Sequence, residues 1–307
     1  MPIPVIIDCD PGTDDAVALL LAFASPELSV LAVTVVGGNA GLHCTLPNAL
    51  ALTALAVSPA PVHAGADRPL LGRFKSEPTV HGDEGLGGVK LPPGGPAAPG
   101  LAADVIRRLL RDAAEPVTLI GIGPATNLAI ALTTEPDLAA KVARIVLMSG
   151  ARAEGNVTPA AEFNAWSDPE ALSILLDSGC PVVFATLDLT AQALVTPARI
   201  AAWRALGRGR CLQAACDIQA SVPPSPRLGG QGAPLHDPCA VAWLIRPDLF
   251  TARPCSVRVD LGPGPNRGRT LFDPPGRTAD RLNATVLETL DADGFFAFLG
   301  HRLASLP

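Results

Sequence analysis

Four aspartates occupy nine positions near the N-terminus, in "DCDPGTDDA" (residues 8–16). Carboxylates this close repel one another unless a cation or shared protons join them. Pro11-Gly12 is a turn signal, and Thr13 is placed to cap the helix that follows. Asp14 and Asp15 then fall in its first turn, where an isolated pair would only answer the helix dipole. Asp8 and Asp10 need another reason. Alternation along the preceding strand sends both to one face and Cys9 to the other. Asp10, Asp14 and Asp15 can then converge across the turn. All-oxygen donors favour a hard ion, calcium or magnesium, over zinc. Such a set serves two chemistries. One is phosphoryl transfer of the Asp-x-Asp kind, with Asp8 as nucleophile. The other is metal-assisted hydrolysis, with an Asp taking the proton of a bound water.

Other stretches add polar groups where loops meet elements. "VVGGNAG" (35–41) sets Asn39 just past an apolar run, and "HGDEGLGG" (81–88) carries His81 in a glycine-rich loop. "GIGPATN" (121–127) lacks the third glycine of a dinucleotide fingerprint, and no phosphate-binding Lys follows it. "GNVTPAAEFNAWSDPEA" (155–171) packs Asn156, Glu162 and Asn164 into a loop before a helix that Ser167 would cap. Asn, Glu and Asn are hydrogen-bonding partners for sugar hydroxyls. "PLHDPCAVAWL" (234–244) puts His236-Asp237 before Pro238 at a helix start.

These residues need elements to hold them. Short apolar runs alternate with amphipathic segments. Strands are expected at Val5–Cys9, Val30–Val36, Val117–Ile122, Ile145–Met148 and Val182–Thr186, and later at Ser256–Leu261, Thr270–Phe272 and Asn283–Leu287. Helices are expected at Asp14–Ala24, Leu46–Val57, Ala125–Leu132, Asp168–Asp177, Pro197–Leu206 and from Asp291 to about Arg302. The alternation predicts an α/β fold, a mostly parallel central sheet with helices on both faces. Ligands in such folds bind beyond the carboxyl ends of the strands, where Asp8 to Asp15 lie. Pro/Gly-rich loops are expected at Leu91–Gly100, Val222–Pro234 and Gly262–Gly268. No interdomain linker or repeat is visible, so residues 1–307 read as one domain.

Bulk properties exclude some partners. The net charge is −6, with no Lys/Arg-rich block, which argues against nucleic acid. No apolar run reaches 18 residues, which argues against a membrane. The N-terminus has no basic segment or cleavage-like site, so no signal peptide is expected, and seven cysteines without Cys-x-x-Cys spacing read as reduced thiols. The expected location is cytoplasmic.

Taken together, the motifs resemble the nucleoside hydrolase family of the inosine-uridine preferring type. The likeness runs through "DCDPGTDDAVALLLA", "VHGDEGLG", "GPATN", "NVTPAAEFN" and "LHDPCAVAWLI" to "NRGRTLFD" and "ADGFFAFL", in order over nearly the whole chain. It implies a Rossmann-like fold, single-domain, holding one Ca2+. By resemblance the ion is bound by Asp10, Asp15, Asp237 and the main-chain carbonyl of Ile122. Ribose hydroxyls and a water would complete its sphere. Asp14, Asn39 and Asn164 would contact the ribose, and Asn156 and Glu162 its 5′-hydroxyl. Asp10 would be the general base and His236 the acid for the leaving base, with His81 near the substrate. The substrate implied is a small-molecule ribonucleoside, split into base and ribose for salvage. The chain is expected to be a homodimer or homotetramer.

Two departures bear on the base. The family often has a His after its "DLT" equivalent, where residues 188–192 read "DLTAQ" with Ala191. The segment before His-Asp-Pro commonly carries tyrosines, whereas here it is "SVPPSPRLGGQGAP" and the chain has no Tyr. Base contacts would therefore come from His81, His236, Trp203, Gln219 or Arg227. Two competing functions remain at this stage: a Mg-dependent phosphotransferase using Asp8, and a non-catalytic nucleoside-binding protein on the same fold.

Overall fold

The structure, a computed structural model, describes residues 1–76, 78–274, 277 and 282–307. Among these residues, eleven strands follow in chain order: β1 Ile3–Cys9, β2 Leu28–Val35, β3 Val62–Ala64, β4 Val117–Gly121, β5 Val142–Met148, β6 Val182–Ala185, β7 Leu194–Val195, β8 Ala233–Pro234, β9 Phe250–Val259, β10 Thr270–Asp273 and β11 Ala284–Leu290. Nine form one sheet in the order β10-β9-β11-β6-β5-β4-β1-β2-β3, and β7 pairs with β8 separately. From β3 to β6, and on to β11, neighbours pair in parallel; β9 and β10 close the far edge antiparallel.

The apolar runs explain this sheet. Val5, Ile6 and Ile7 are all fully buried, with side chains alternating between two apolar clusters: Val5 and Ile7 in one, Ile6 in the other. A strand buried on both faces reads as a continuous β-branched run rather than an alternating one. The helix Thr13–Phe23 is likewise buried from Thr13 to Ala22, which places it against the sheet inside the molecule.

β1 lies between β2 and β4. The chain builds outward from β1 to β2 and β3 on one side, then restarts at β4 and builds to β5 and β6 on the other. The gap beyond the ends of β1 and β4 is the topological switch point of the sheet, where open α/β folds bind ligands.

Most expected elements are present, with ends shifted by a few residues. The helix Pro197–Leu206 matches throughout, while β9 begins six residues before the expected Ser256. The helices Ala102–Asp112 and Arg210–Ser221 and the strands β3, β7 and β8 were not expected. Pro47 sits inside the helix Leu42–Leu55, which begins four residues before Leu46. The segment Val222–Pro234 is a loop apart from the 3-10 turn Pro226–Leu228 and the short β8. All seven cysteines are free, and only Cys44 is not buried. Among the described residues, no helix is long and apolar enough to cross a membrane.

Candidate active site

Asp10 is the first residue past β1, and its carboxylate is enclosed by backbone. A Cβ on Gly38 would collide with its Oδ2, and one on Gly123 would lie 2.5 Å from its Oδ1. Only glycine permits the loops after β2 and β4 to close on that side chain. The backbone N–H of Asn39 donates to Asp10 Oδ2 at 2.7 Å, while Oδ1 is buried without a hydrogen-bond partner.

Asp15 is fixed from several sides. The backbone N–H of Asp10 donates to its Oδ1 at 3.1 Å, and Gly12 N–H and Asn39 Nδ2 donate to its Oδ2 at 2.9 and 3.0 Å. Gly12, not Thr13, is the cap residue of the helix. Having no side chain to offer, it leaves the Asp15 carboxylate to take the free N–H groups of the turn. Asp237 begins the helix Asp237–Ile245, with His236 as its cap residue.

Ligand oxygens of Asp14, Asp15 and Asp237 lie within 4.8 Å of one another, and all three residues are buried. Asp10 is not part of that trio, although Asp15 and Asp14 both act on its charge. Burial is the leading reason that the carboxyls of Asp10 and Asp237 sit well above the usual range, with neighbouring carboxylates adding to it. Burial and Asp14 likewise push Asp15 up to about 7. The fold thus confines several carboxylates where charge is unfavourable without a cation. Oxygen donors alone, together with the orphaned Asp10 Oδ1, fit a hard divalent ion.

Asp8 is elsewhere. It is fully buried within the sheet, with Oδ1 accepting from Thr34 Oγ1 at 2.6 Å and Asn127 Nδ2 at 2.8 Å. Burial raises its pKa to about 7. With Oδ1 committed to Thr34 and Asn127, Asp8 is held as a structural group, which disfavours it as the nucleophile that Asp-x-Asp phosphoryl transfer requires.

Around the carboxylates is a small polar pocket of about 50 Å³, lined by Asp14, Asn39, His81, Ile122, Met148, Asn156, Glu162, Phe163, Asn164, His236 and Asp237. Asp14, Asn39, His81, Asn156, Glu162 and Asn164 therefore all line one pocket, together with His236 of the base candidates. Asn164 Nδ2 donates to the carbonyls of Ile122 and Met148, both at 3.0 Å, which leaves its Oδ1 to face a ligand. Glu162 is also a structural cap. Its carboxylate accepts from the N–H groups of Asn164, Ala165 and Gly150 at 2.8–3.0 Å. Asp168, rather than Ser167, caps the next helix through Ala171 N–H at 3.1 Å.

His81 Nδ1 accepts the backbone N–H of Thr13 at 3.2 Å, so the neutral ring carries its proton on Nε2. A larger cavity of about 540 Å³ shares Asn156 and His236 with the polar pocket. Its other walls include Leu187, Asp188, Ala191, Ser225, Arg227 and Leu228. Ala191 and Arg227 face this cavity, but Trp203 and Gln219 do not. Trp203 is buried with Nε1 donating to Phe296 O, and Gln219 is spent on Thr13 O. Sequence reasoning missed Met148, Phe163 and Thr190. Met148 at the end of β5 and Phe163 at the start of the helix Phe163–Ser167 are apolar and carry no polar signal, and Thr190 gains its meaning only from touching His236.

Comparison with known proteins shows the family. A family model described as inosine-uridine preferring nucleoside hydrolase matches residues 5–297. The pyrimidine-specific ribonucleoside hydrolase RihA of Salmonella gallinarum is 43% identical over 99% of both chains, and that of Salmonella typhimurium 44% over the same share. Among solved structures, a purine-preferring ribonucleoside hydrolase from Gardnerella vaginalis superposes with a TM-score of 0.90 at 32% identity over 98% of each chain. A plant nucleoside hydrolase does so with 0.91 at 30% identity over 99% of each. The chain belongs to the inosine-uridine preferring nucleoside hydrolase family and is an N-glycosyl hydrolase of ribonucleosides.

Proposed function

We propose that this chain hydrolyses the N-glycosidic bond of pyrimidine ribonucleosides with one bound calcium ion, releasing ribose and free base. The observation that carries the reading is the pair of compartments. A carboxylate- and amide-lined pocket suits a ribose, and it shares His236 and Asn156 with a cavity large enough for a base. The preference for pyrimidines rests on the likeness to pyrimidine-specific relatives.

Asp10, Asp15, Asp237 and the Ile122 carbonyl would hold the ion, with Asp14 close by. When bound, calcium supplies a Lewis acid that holds water and ribose hydroxyls and lowers the water's pKa. Asp10 accepts the water's proton through Oδ1, the oxygen that Asn39 leaves free. Asp14, Asn39 and Asn164 orient the ribose, while Asn156 and Glu162 hold its 5′-hydroxyl. Cleavage passes through a ribosyl cation, which the surrounding carboxylates stabilise. His236, standing where the compartments meet, donates a proton to the departing base, and His81 lies beside the substrate.

The same reading makes residues 1–307 one catalytic domain of a cytoplasmic salvage enzyme, assembled as a homodimer or homotetramer. Its free cysteines suit a reducing compartment. A panel of nucleosides assayed for free ribose, with and without chelator, tests the function. Uridine and cytidine should be cleaved fastest, 2′-deoxyribosides slowly, and chelation should stop the reaction. No ribose from any nucleoside in the presence of calcium would overturn it.

A further inference from the structure

Two segments some 70 residues apart line the outer cavity: Ala153, Glu154 and Asn156 from one, Ser225, Arg227 and Leu228 from the other. Arg227 joins them. Its Nη1 donates to the Gly155 carbonyl at 2.7 Å and its Nη2 to Glu154 Oε2 at 2.6 Å.

Each segment is internally closed. Ser225 N–H donates to Gly232 O at 2.8 Å, and Gly230 N–H to Ser225 O at 2.9 Å. Gly229 and Gly230 take φ of +83° and +69°, which lets so short a loop turn back on itself. The loop then enters β8, which pairs with β7 and leads directly to His236. On the other side, Asn156 N–H donates to Ala161 O at 3.2 Å, and Asn156 Oδ1 accepts Phe163 N–H at 2.9 Å. The Asn156 side chain is thereby held with Nδ2 left to face a ligand. The carbonyl that Arg227 grips belongs to the same peptide unit as the Asn156 N–H.

We propose that Arg227 is a positioning residue that clamps the base-side loop to the ribose-side turn, so that a ligand spanning both compartments meets one continuous wall. This rests on the reading of the two compartments as ribose and base sites. The two arms differ in weight. Glu154 is 71% exposed, and such a pair is screened by water and salt. The Gly155 arm is a charge-assisted bond to backbone, and the guanidinium fork makes both bonds at once. A lysine reaches one acceptor but not both. The clamp acts on a nucleoside, which spans the compartments, and not on free ribose, which fills only the inner one.

The test compares R227M, R227K and E154Q with the wild-type enzyme loaded with calcium, reading KM and kcat for uridine and the inhibition constant of free ribose. The Arg227 side chain is half exposed, so both variants should fold, which circular dichroism checks. R227M should raise KM about tenfold, the size of one charge-assisted hydrogen bond, with kcat changed less than about twofold and ribose inhibition unmoved. R227K should recover part of the loss, and E154Q should cost less than R227M. An unchanged KM in R227M overturns the clamp. So does a loss shared equally between uridine and ribose, which would mean general disruption of the site. Wild-type protein that releases no ribose overturns the hydrolase reading instead. The clamp would then be read from uridine's dissociation constant by calorimetry, where an unchanged value in R227M overturns it.

Discussion

His236 Nδ1 lies 2.6 Å from Thr190 Oγ1. That contact occupies one ring nitrogen and leaves Nε2 as the atom able to carry a proton toward a leaving base. Thr190 is fully buried, so the hydroxyl cannot swing away to water. A ring held on one side by a fixed hydroxyl and placed where the two compartments meet has the geometry of a positioned acid.

The leaving group reports on that role. His236→Ala should slow uridine and inosine hydrolysis by roughly 10²–10⁴ and barely affect a p-nitrophenyl riboside, whose phenolate leaves without help. Burial lowers the His236 pKa from 6.5, nearby His81 lowers it further, and Asp14 opposes both. The acid form therefore grows as pH falls through a value below 6.5, and kcat for uridine should carry that limb. The p-nitrophenyl substrate should lack it. Similar losses on both substrates would mean that His236 shapes the pocket rather than donating a proton.

Asp10→Asn keeps the shape that Gly38 and Gly123 enclose but removes the proton acceptor. Turnover should fall by at least about 10²–10⁴ with an unchanged circular dichroism spectrum. A variant within a few-fold of wild type would end the general-base assignment.

Calcium and protons compete for the same carboxyls. Burial raises Asp10 and Asp237 well above the usual range and Asp15 to about 7 when no cation is present. Protonated folded carboxyls with ionised unfolded ones make the metal-free fold lose stability as pH rises from 3.8 toward 7. Calcium replaces those protons, so its affinity rises over the same window. Chelation should thus lower Tm more at pH 8 than at pH 5, and added calcium should restore both Tm and ribose release. A Tm gap that is flat with pH would argue against these ligands.

Glu162 should act on stability as well as on substrate. Glu162→Gln turns an amide N–H₂ toward backbone N–H groups that now meet a carboxylate, and it should cost about 1–2 kcal/mol of folding free energy. Thermal melts without substrate check this. A raised KM with an unchanged Tm would limit Glu162 to the substrate.

Much of this molecule was legible from local pattern. β-branched runs buried on both faces announce parallel strands, and a Pro-Gly turn after one of them places Asp14 and Asp15 on a helix. The chemistry of the donor set, oxygen without sulfur or imidazole, likewise follows from residue type. The motifs in their order pointed to the family, and the comparisons bear that out. What the tertiary structure decided is which carboxylates share space. Strand alternation sends Asp8 and Asp10 the same way, yet Thr34 and Asn127, from β2 and the helix Thr126–Thr134, hold Asp8 within the sheet, while Asp10 lies just past the end of β1. Asp237 meets Asp14 and Asp15 across more than 200 residues. Glu162 proved a cap because Gly150, Asn164 and Ala165 present their N–H groups to it. Trp203 and Gln219, polar-tipped and eligible by type, are consumed in the core. Local sequence sets the backbone's periodicity and chemistry; partners brought from distant segments decide which polar atoms are already satisfied, and so which remain for a ligand.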